Sequence, residues 1–433
     1  VYDESFSAHL ISGLSGHPHS KQSIFAAVPF LIFDSAGRNC RWIDPATNRV
    51  EIKEGNPFDI FFERWTHVSP AFAIGYWGYD LKDHLEKLDD RAKREFDVPD
   101  AQWMLFRAVA RIDHVSGRVV VEGTEDAVGR LQEKILSDPS PVTGSVRQYS
   151  VRPQWTRSDY THAVRAIREH IRIGDVYEVN LTQRFFVDAA PSAARDLELL
   201  QTMLSETPSP FTAMLRSPAM TILSSSPERF LRIDGHRMEC EPIKGTRPRG
   251  RSFDDDEAAY LSLVESEKDR AENLMIVDLT RNDLGRVAEI GSVAVPRLFH
   301  IDAYQTVFQM SSTVRAQLAA EFNWMDAVKA AFPPGSMTGA PKIAAMNIIE
   351  SLEPVKRQVY SGVLGYVDWT GNVDLSVIIR TLVLHGDSGY FQTGGAIVWD
   401  SDAESEYREC LDKAEGLLRT LRTWSESTGR RTP

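Results

Sequence analysis

The sequence predicts an α+β fold in which antiparallel sheets pack together with helices on the outside. Three observations predict it. Strand-like runs are interspersed with hairpin signals and not with regular βαβ crossovers. The segment FLRIDGHRMEC, residues 230–240, reads as two short strands around Asp234-Gly235, a dipeptide favoured in two-residue hairpin turns. Two longer stretches, from about Asp255 through Val277 and from about Glu404 to Leu421, carry acids at helical spacing.

In order along the chain, the first ~140 residues read as short strands, in FAAVPFLIFD, RWIDPA, FAIGYWGYDL, WMLFRAVARIDH and GRVVVEG. The polar run SDPSPVTGSVRQYSVRPQW then marks a boundary near residues 138–153. It separates a β-rich region, residues 1–150, from a larger one, 151–425, with 426–433 as a tail. Ser158 can cap a helix carrying Tyr160, Val164, Ile167 and Ile171 on one face, with Gly174 as its stop. DVYEVNLTQRFFV reads as a strand. Between the acid-bearing helices lie FPPGSMTGAPK, a strand around YSGVLGYVDW, and the glycine pair of QTGGAIVW.

With 433 residues, 42% of them hydrophobic, the chain can bury a large core. Its 61 acids against 49 Lys and Arg give a formal charge of −12, which argues against nucleic-acid or anionic-membrane partners. An anionic substrate would need clustered Arg and Lys, or a bound cation. Cys40, Cys240 and Cys410 lie far apart without a CxxC pair. Neither a disulfide framework nor a zinc ribbon is expected, and a reducing cytoplasm suits such a chain. No apolar run approaches the ~18 residues of a membrane span, and no signal-peptide pattern opens the sequence.

Asp269 and Glu272 share a helix face at i, i+3, and so do Glu406 and Glu409. A solvated face explains either pair alone, since Lys268 and Arg270 are adjacent and Glu409 can pair with Lys413. Together the two pairs could meet across a cleft and hold a hard divalent cation. Mg²⁺ typically takes one or two carboxylates and fills its octahedron with water and substrate oxygens. In the second helix Tyr407, Cys410, Leu411, Ala414 and Leu418 form the expected apolar stripe, flanked by Glu406 and Glu409.

The basic cluster in ECEPIKGTRPRG, residues 239–250, stands out in an acidic chain. A nucleophilic amine must be unprotonated, and burial or neighbouring cations depress a lysine pKa. Arg247 and Arg249 are close enough in sequence to Lys244 to do this, or they point to solvent. With Asp234-Gly235 as the turn, Glu228 falls opposite Glu241 and Lys244 opposite Ser225, about ~10 Å of strand apart. Pro227 and Pro242 interrupt such a ladder and invite a bulge.

Seven segments in order, VYEVNLTQRF, SSSPERF, PIKGT, EKDRAENLMIVDLTRND, GSMTGAPK, YSGVLGYVDWTGNVDLSVIIRT and GGAIVWDSDAESEYREC, make roughly residues 150–425 resemble the chorismate-utilising enzymes. The resemblance implies an anthranilate synthase component I-like fold, with 151–425 as the chorismate-binding catalytic domain. PIKGT is similar to the aminodeoxychorismate synthase branch, where anthranilate synthases usually read PIAGT. It implies that Lys244 attacks C2 of chorismate as the 4-hydroxyl leaves, and that ammonia then adds at C4 and expels the lysine. The product is the 4-amino precursor of p-aminobenzoate, used for folate. Hydroxide leaves poorly without a general acid, and Glu228 matches the family's acid.

By the same resemblance Glu272 and Glu409 are direct Mg²⁺ ligands, with Asp269 and Glu406 in support. Tyr360, Arg380, Gly394 and Lys413 match residues that hold the enolpyruvyl carboxylate, with Gly395 beside them. Gly245, Thr246 and Ser336 line the substrate site. A strand-end packing pair for Tyr360 and Arg380, and a bulge for Gly394-Gly395, are the bland alternatives. Ammonia is expected from a glutamine amidotransferase subunit or from solution, because no segment resembles an amidotransferase. No lyase module is seen, so the 4-amino compound is the expected end product.

Three departures accompany the match. Asp269 stands where Glu is common, and Asn273 and Gln309 where histidine is frequent. Glu178 replaces the lysine base of water-using relatives, which argues against water as nucleophile. The alternatives are an anthranilate synthase component I, an aminodeoxyisochorismate synthase, or a non-catalytic chorismate- or tryptophan-binding subunit.

Overall fold

The computed structural model describes residues 6–14, 16–89, 91–136, 149–188, 195–304 and 307–429. Two antiparallel sheets, one of 11 strands and one of 12 among the described residues, pack face to face. Helices cover their outer faces. Period-two alternation builds this arrangement. In the strand Phe72–Trp77, the side chains of Phe72, Ile74 and Tyr76 enter the core between the sheets. Ala73 and Trp77 face the opposite way, toward the helix Pro57–Val68 and its aromatic neighbours Phe58 and Phe61. The α+β fold expected from the sequence is the fold observed.

The expected boundary falls largely on residues 137–148, which lie outside the described residues. On either side of it the chain contributes to the same sheets. Ser7–Ile11 pairs with Phe211–Arg216, and Phe72–Trp77 pairs with Val363–Val367.

Several local expectations shift. The helix expected from Ser158 runs Arg157–Ile173 and is capped by Thr156 instead. Thr156 and Asp159 form a reciprocal capping box, which satisfies two backbone donors at once. Gly174 closes the helix in the left-handed region, φ +90°. The stretch from Asp255 to Val277 is two helices, Phe253–Val264 and Glu267–Gly285, because Ser266 caps a new start by accepting from Asp269 N. The hairpin of Arg229–Asp234 and Arg237–Cys240 pairs Asp234 with Arg237, so its turn is Gly235-His236. Gly235, at φ +60°, takes the first central position that only glycine adopts freely.

That one-residue shift removes the expected facing of Glu228 with Glu241. Lys244 does not oppose Ser225 either. Ser225 lies in the 11-stranded sheet, whereas the strand Ile243–Pro248 leaves the hairpin and pairs with Val307–Gln317 in the other sheet. Cys40, Cys240 and Cys410 are all buried and free. Among the described residues no helix is long and apolar enough to cross a membrane.

A buried ion pair braces the end of the sandwich where the two sheets approach the cavity described below. Arg357 donates to both oxygens of Glu353, at 2.9 and 2.7 Å, and also to the carbonyls of Met337 and Asn180. Glu353 in turn accepts from Thr182 N. The side chains are only 1% and 4% exposed, so either charge without the other is stranded in low dielectric. Arg357→Met is expected to lower stability by about 3–5 kcal/mol, read as a lower urea midpoint at unchanged slope.

Candidate active site

A cavity of about 430 Å³ opens where the strands Glu178–Asp188 and Ser388–Ile397 of one sheet meet Ile243–Pro248 of the other. The helices Glu267–Gly285 and Ala403–Gly429 supply the remaining wall. Every residue expected from the sequence to serve catalysis or substrate binding lines it: Glu228, Lys244, Gly245, Thr246, Ser336, Tyr360, Arg380, Gly394, Gly395 and Lys413. Asp269, Glu272 and Glu409 line it too. Glu406 stands just behind, buried, accepting from Ser401 Oγ at 2.7 Å.

Lys244 owes its aim to a bulge. The register of its strand against Val307–Gln317 slips between Ile243 and Thr246, in a different ladder from the hairpin where Pro227 and Pro242 led a bulge to be expected. Gly245 sits inside the slip at φ +81°, and a Cβ there would lie 2.9 Å from Asp269 Cγ. The bare glycine therefore lets the Lys244 loop press against the acid-bearing helix. Lys244 Nζ donates to Glu178 Oε1 at 3.1 Å, with the two side chains 13% and 0% exposed.

The electrostatic surroundings of Lys244 reverse the sequence expectation. Arg247 turns to Asp269, donating at 2.7 Å, and Arg249 turns away to Asp256. Neither lies against the lysine to depress its pKa. Burial does lower it, but the charges of Glu178, Glu272 and Glu228 outweigh burial and raise it above the ordinary lysine value. Glu228 behaves oppositely. Its burial, only partly offset by Ser336 and Lys244, pushes its carboxyl up to about 7. A carboxylic acid that keeps its proton near neutrality can donate it to a leaving group.

The two acid pairs do converge on the cavity, through basic neighbours. Lys268 Nζ stands 3.8 Å from Glu272 and 3.9 Å from Glu406, bridging the two helices. Lys413 pairs with Glu409 at 2.7 Å and donates to the Gly394 carbonyl at 3.1 Å. A Cβ at Gly395 would lie 3.3 Å from Glu406 and 3.5 Å from Glu409, so the missing side chain leaves room for both acids. Gly394 and Gly395 stand in unbroken register with Thr182 and Leu181, which rules out the bulge alternative. The apolar stripe of the last helix is Cys410, Ala414, Leu417, Leu421 and Trp424, whereas Leu411 is exposed.

The donors offered to a cation are all carboxylate oxygens, the set a hard ion such as Mg²⁺ prefers. Glu272 Oε1 is buried without a hydrogen-bond donor. Among the described residues no three His, Cys, Asp or Glu side chains close a metal shell by themselves. An orphaned buried carboxylate oxygen among further carboxylates suits an ion that fills the rest of its shell with water and substrate oxygens, so these residues fit the group.

Arg380 adopts φ +49°, a strained value for a non-glycine residue. Its side chain faces the cavity without an ion-pair or hydrogen-bond partner among the described residues. Tyr360 is buried and also lines the cavity. Gln309 also lines the cavity, whereas Asn273 is buried behind it and accepts from Ser312 Oγ at 2.5 Å. Asn180, Lys268 and the Glu178–Lys244 contact are features the sequence reading missed. Glu178 was noted for its residue type, but its partner lies 66 residues away and no local pattern links them.

Residues 39–419 match the chorismate binding enzyme family. Aminodeoxychorismate synthase component 1 of Salmonella typhimurium is 39% identical over 95% of this chain and 92% of that protein. Anthranilate synthase component 1 of Acetivibrio thermocellus is 32% identical over 97% and 91%. The crystal structure of anthranilate synthase component I from Streptococcus pneumoniae TIGR4 superposes with a TM-score of 0.81, covering 93% of both chains at 27% identity. The fold, the family match and these identities over nearly the whole length agree: the chain belongs to the chorismate binding enzymes.

Proposed function

We propose that this protein is the chorismate-converting component of an aminodeoxychorismate synthase, replacing the 4-hydroxyl of chorismate with an amino group from ammonia. One observation carries the reading: a lysine and a neutral-range carboxylic acid, Lys244 and Glu228, open onto the same cavity. An amine attacks C2, and the acid protonates the departing 4-hydroxyl. Direct attack of ammonia on C2, the anthranilate route, would need the space that Lys244 takes.

The remaining wall suits a dianionic substrate. Arg380 offers a guanidinium free to form two parallel hydrogen bonds with a carboxylate. Tyr360 lines the same cavity, as do Gly394 and Lys413, whose amine donates to the Gly394 carbonyl. Thr246, Gly245 and Ser336 border the ring. Glu272 and Glu409 would hold Mg²⁺, with Asp269 and Glu406 behind them. When bound, the ion supplies positive charge to the ring carboxylate. The name component 1 carried by relatives supports ammonia delivery by a separate glutamine amidotransferase subunit.

The test is product analysis from chorismate, MgCl₂ and an ammonium salt. The 4-amino derivative is the expected product, and anthranilate as the main product would overturn the proposal. Glu228 makes a pH prediction. A general acid must be protonated, so the step it assists should weaken as pH rises through about 7, where burial has pushed its carboxyl. Glu228→Gln should cut kcat by about 10²–10³-fold and remove that limb from the pH profile. A wild-type profile in this variant would exclude Glu228 as the acid.

A further inference from the structure

The proposed reaction leaves two facts unused. Lys244 Nζ donates to a carboxylate, as an ammonium would, yet only a neutral amine can attack a ring carbon. Glu178, its hydrogen-bond partner, is fully buried, and Glu178 Oε2 has no hydrogen-bond donor among the described residues. A buried carboxylate with an unpartnered oxygen is costly while it stays anionic. Both costs disappear if one proton crosses the existing 3.1 Å contact.

We infer that Glu178 is the base that frees Lys244 for attack, receiving the Nζ proton on Oε1 and returning it at the end of the cycle. This rests on the proposed function. Glu178 is fixed for the task by its backbone. The strand Glu178–Asp188 begins at Glu178, which pairs with Ala340, while Tyr177 N donates to the Ala340 carbonyl. The main chain that carries the carboxylate is therefore fixed, and the bulge at Lys244 brings the amine to it.

Other charged groups face Lys244 from every neighbouring element: Glu272 from the helix Glu267–Gly285, Glu409 from Ala403–Gly429, and Glu228 from the segment before Arg229–Asp234. Glu178 differs from them in hydrogen-bonding the amine directly.

The steps balance. The proton passes from Lys244 Nζ to Glu178, leaving an amine and a carboxylic acid. The amine lone pair forms the C2–N bond, the ring double bonds shift, and the C4–O bond breaks. The hydroxyl takes the Glu228 proton and leaves as water. Ammonia then forms the C4–N bond, the double bonds shift back, and the C2–N bond breaks to release the neutral lysine. The new C4 ammonium returns a proton to Glu228, and Glu178 returns its proton to Lys244. The sum is chorismate plus ammonia giving the 4-amino compound and water.

The test is rapid-quench mass spectrometry of the full chain with chorismate and MgCl₂ but no ammonium, following the adduct on the Lys244 peptide. In the wild type the rate should not rise from about pH 6 to 7, because the proton moves within the pair, and should decline only with the Glu228 limb. Glu178→Gln keeps the size and an acceptor oxygen but cannot take the proton. Its adduct rate at pH 6 should fall at least ~100-fold and climb about tenfold per pH unit, since the lysine proton must now leave to solvent. Glu178→Asp should restore the wild-type profile at a lower rate, and chorismate affinity should survive in all three proteins. A wild-type profile at an equal or higher rate in Glu178→Gln would overturn the inference, leaving Glu178 as a holder of the cation. Loss of chorismate binding in Glu178→Gln would overturn it too, in favour of a structural role. Absence of any adduct in the wild type would instead overturn the proposed function on which it rests.

Discussion

Lys244→Ala is expected to lose C4 amination by at least about 10³-fold while still binding chorismate. The prediction separates the group that acts on the ring from those that hold the substrate. Arg380, Tyr360, Lys413, Asp269, Glu272 and Glu409 are untouched by the change, and they line the cavity from other elements. The emptied space lies where ammonia would have to stand for attack at C2. Some aminodeoxyisochorismate or anthranilate should therefore appear in its place, measurable by chromatography of the quenched reaction. Undiminished C4 amination by the variant would make Lys244 a bystander.

Glu272→Gln and Glu409→Gln should each reduce Mg²⁺-supported turnover by at least about 100-fold with the thermal midpoint little changed. Each removes one carboxylate from a site that offers few, and an amide is a poorer ligand for a hard cation. The two variants should not be equal in their metal-free behaviour. Glu272 is 13% exposed, and burial raises its pKa, whereas Glu409 is 47% exposed and the charge of Lys413 keeps its pKa below the ordinary value. Asp269→Asn should be milder toward Mg²⁺, because Asp269 already accepts from Arg247. Titration of activity against MgCl₂ measures both effects. Wild-type dependence in either glutamine variant would remove that residue from the metal site.

Much of this site was legible because its residues come in short motifs whose local backbone is nearly determined. Pro227 and Pro242 argued for an irregular hairpin ladder; the slip at Lys244 lies instead in the pairing with Val307–Gln317, a strand the local sequence does not point to. Acids at i, i+3 on helical stretches were legible for the same reason. What escaped the sequence was of two kinds. One was fine register: the hairpin turn moved by a single residue, because Gly235 fits the first central position and so pairs Asp234 with Arg237. The other was the choice of ion-pair partner. Arg247 stands three positions from Lys244, yet the Gly245 turn carries it to Asp269, and Lys244 finds Glu178 on a strand of the opposite sheet. Sequence proximity says little about which charges meet across two sheets.

The interleaving of the sheets has a consequence for how the enzyme comes to exist. Strand Ser7–Ile11 must wait for Phe211–Arg216, and Glu178–Asp188 must wait for Ser388–Ile397. Such distant pairings slow folding, because loop closure precedes any reward from contacts. During synthesis, at about 5–20 residues per second, the strand bearing Glu178 would emerge with one edge open for roughly ten seconds or longer. An exposed edge of that kind is prone to mispairing with other chains. The catalytic cavity closes last of all, when the helix carrying Glu409 and Lys413 docks. A nascent chain cannot complete this cavity until the helix Ala403–Gly429 has left the ribosome.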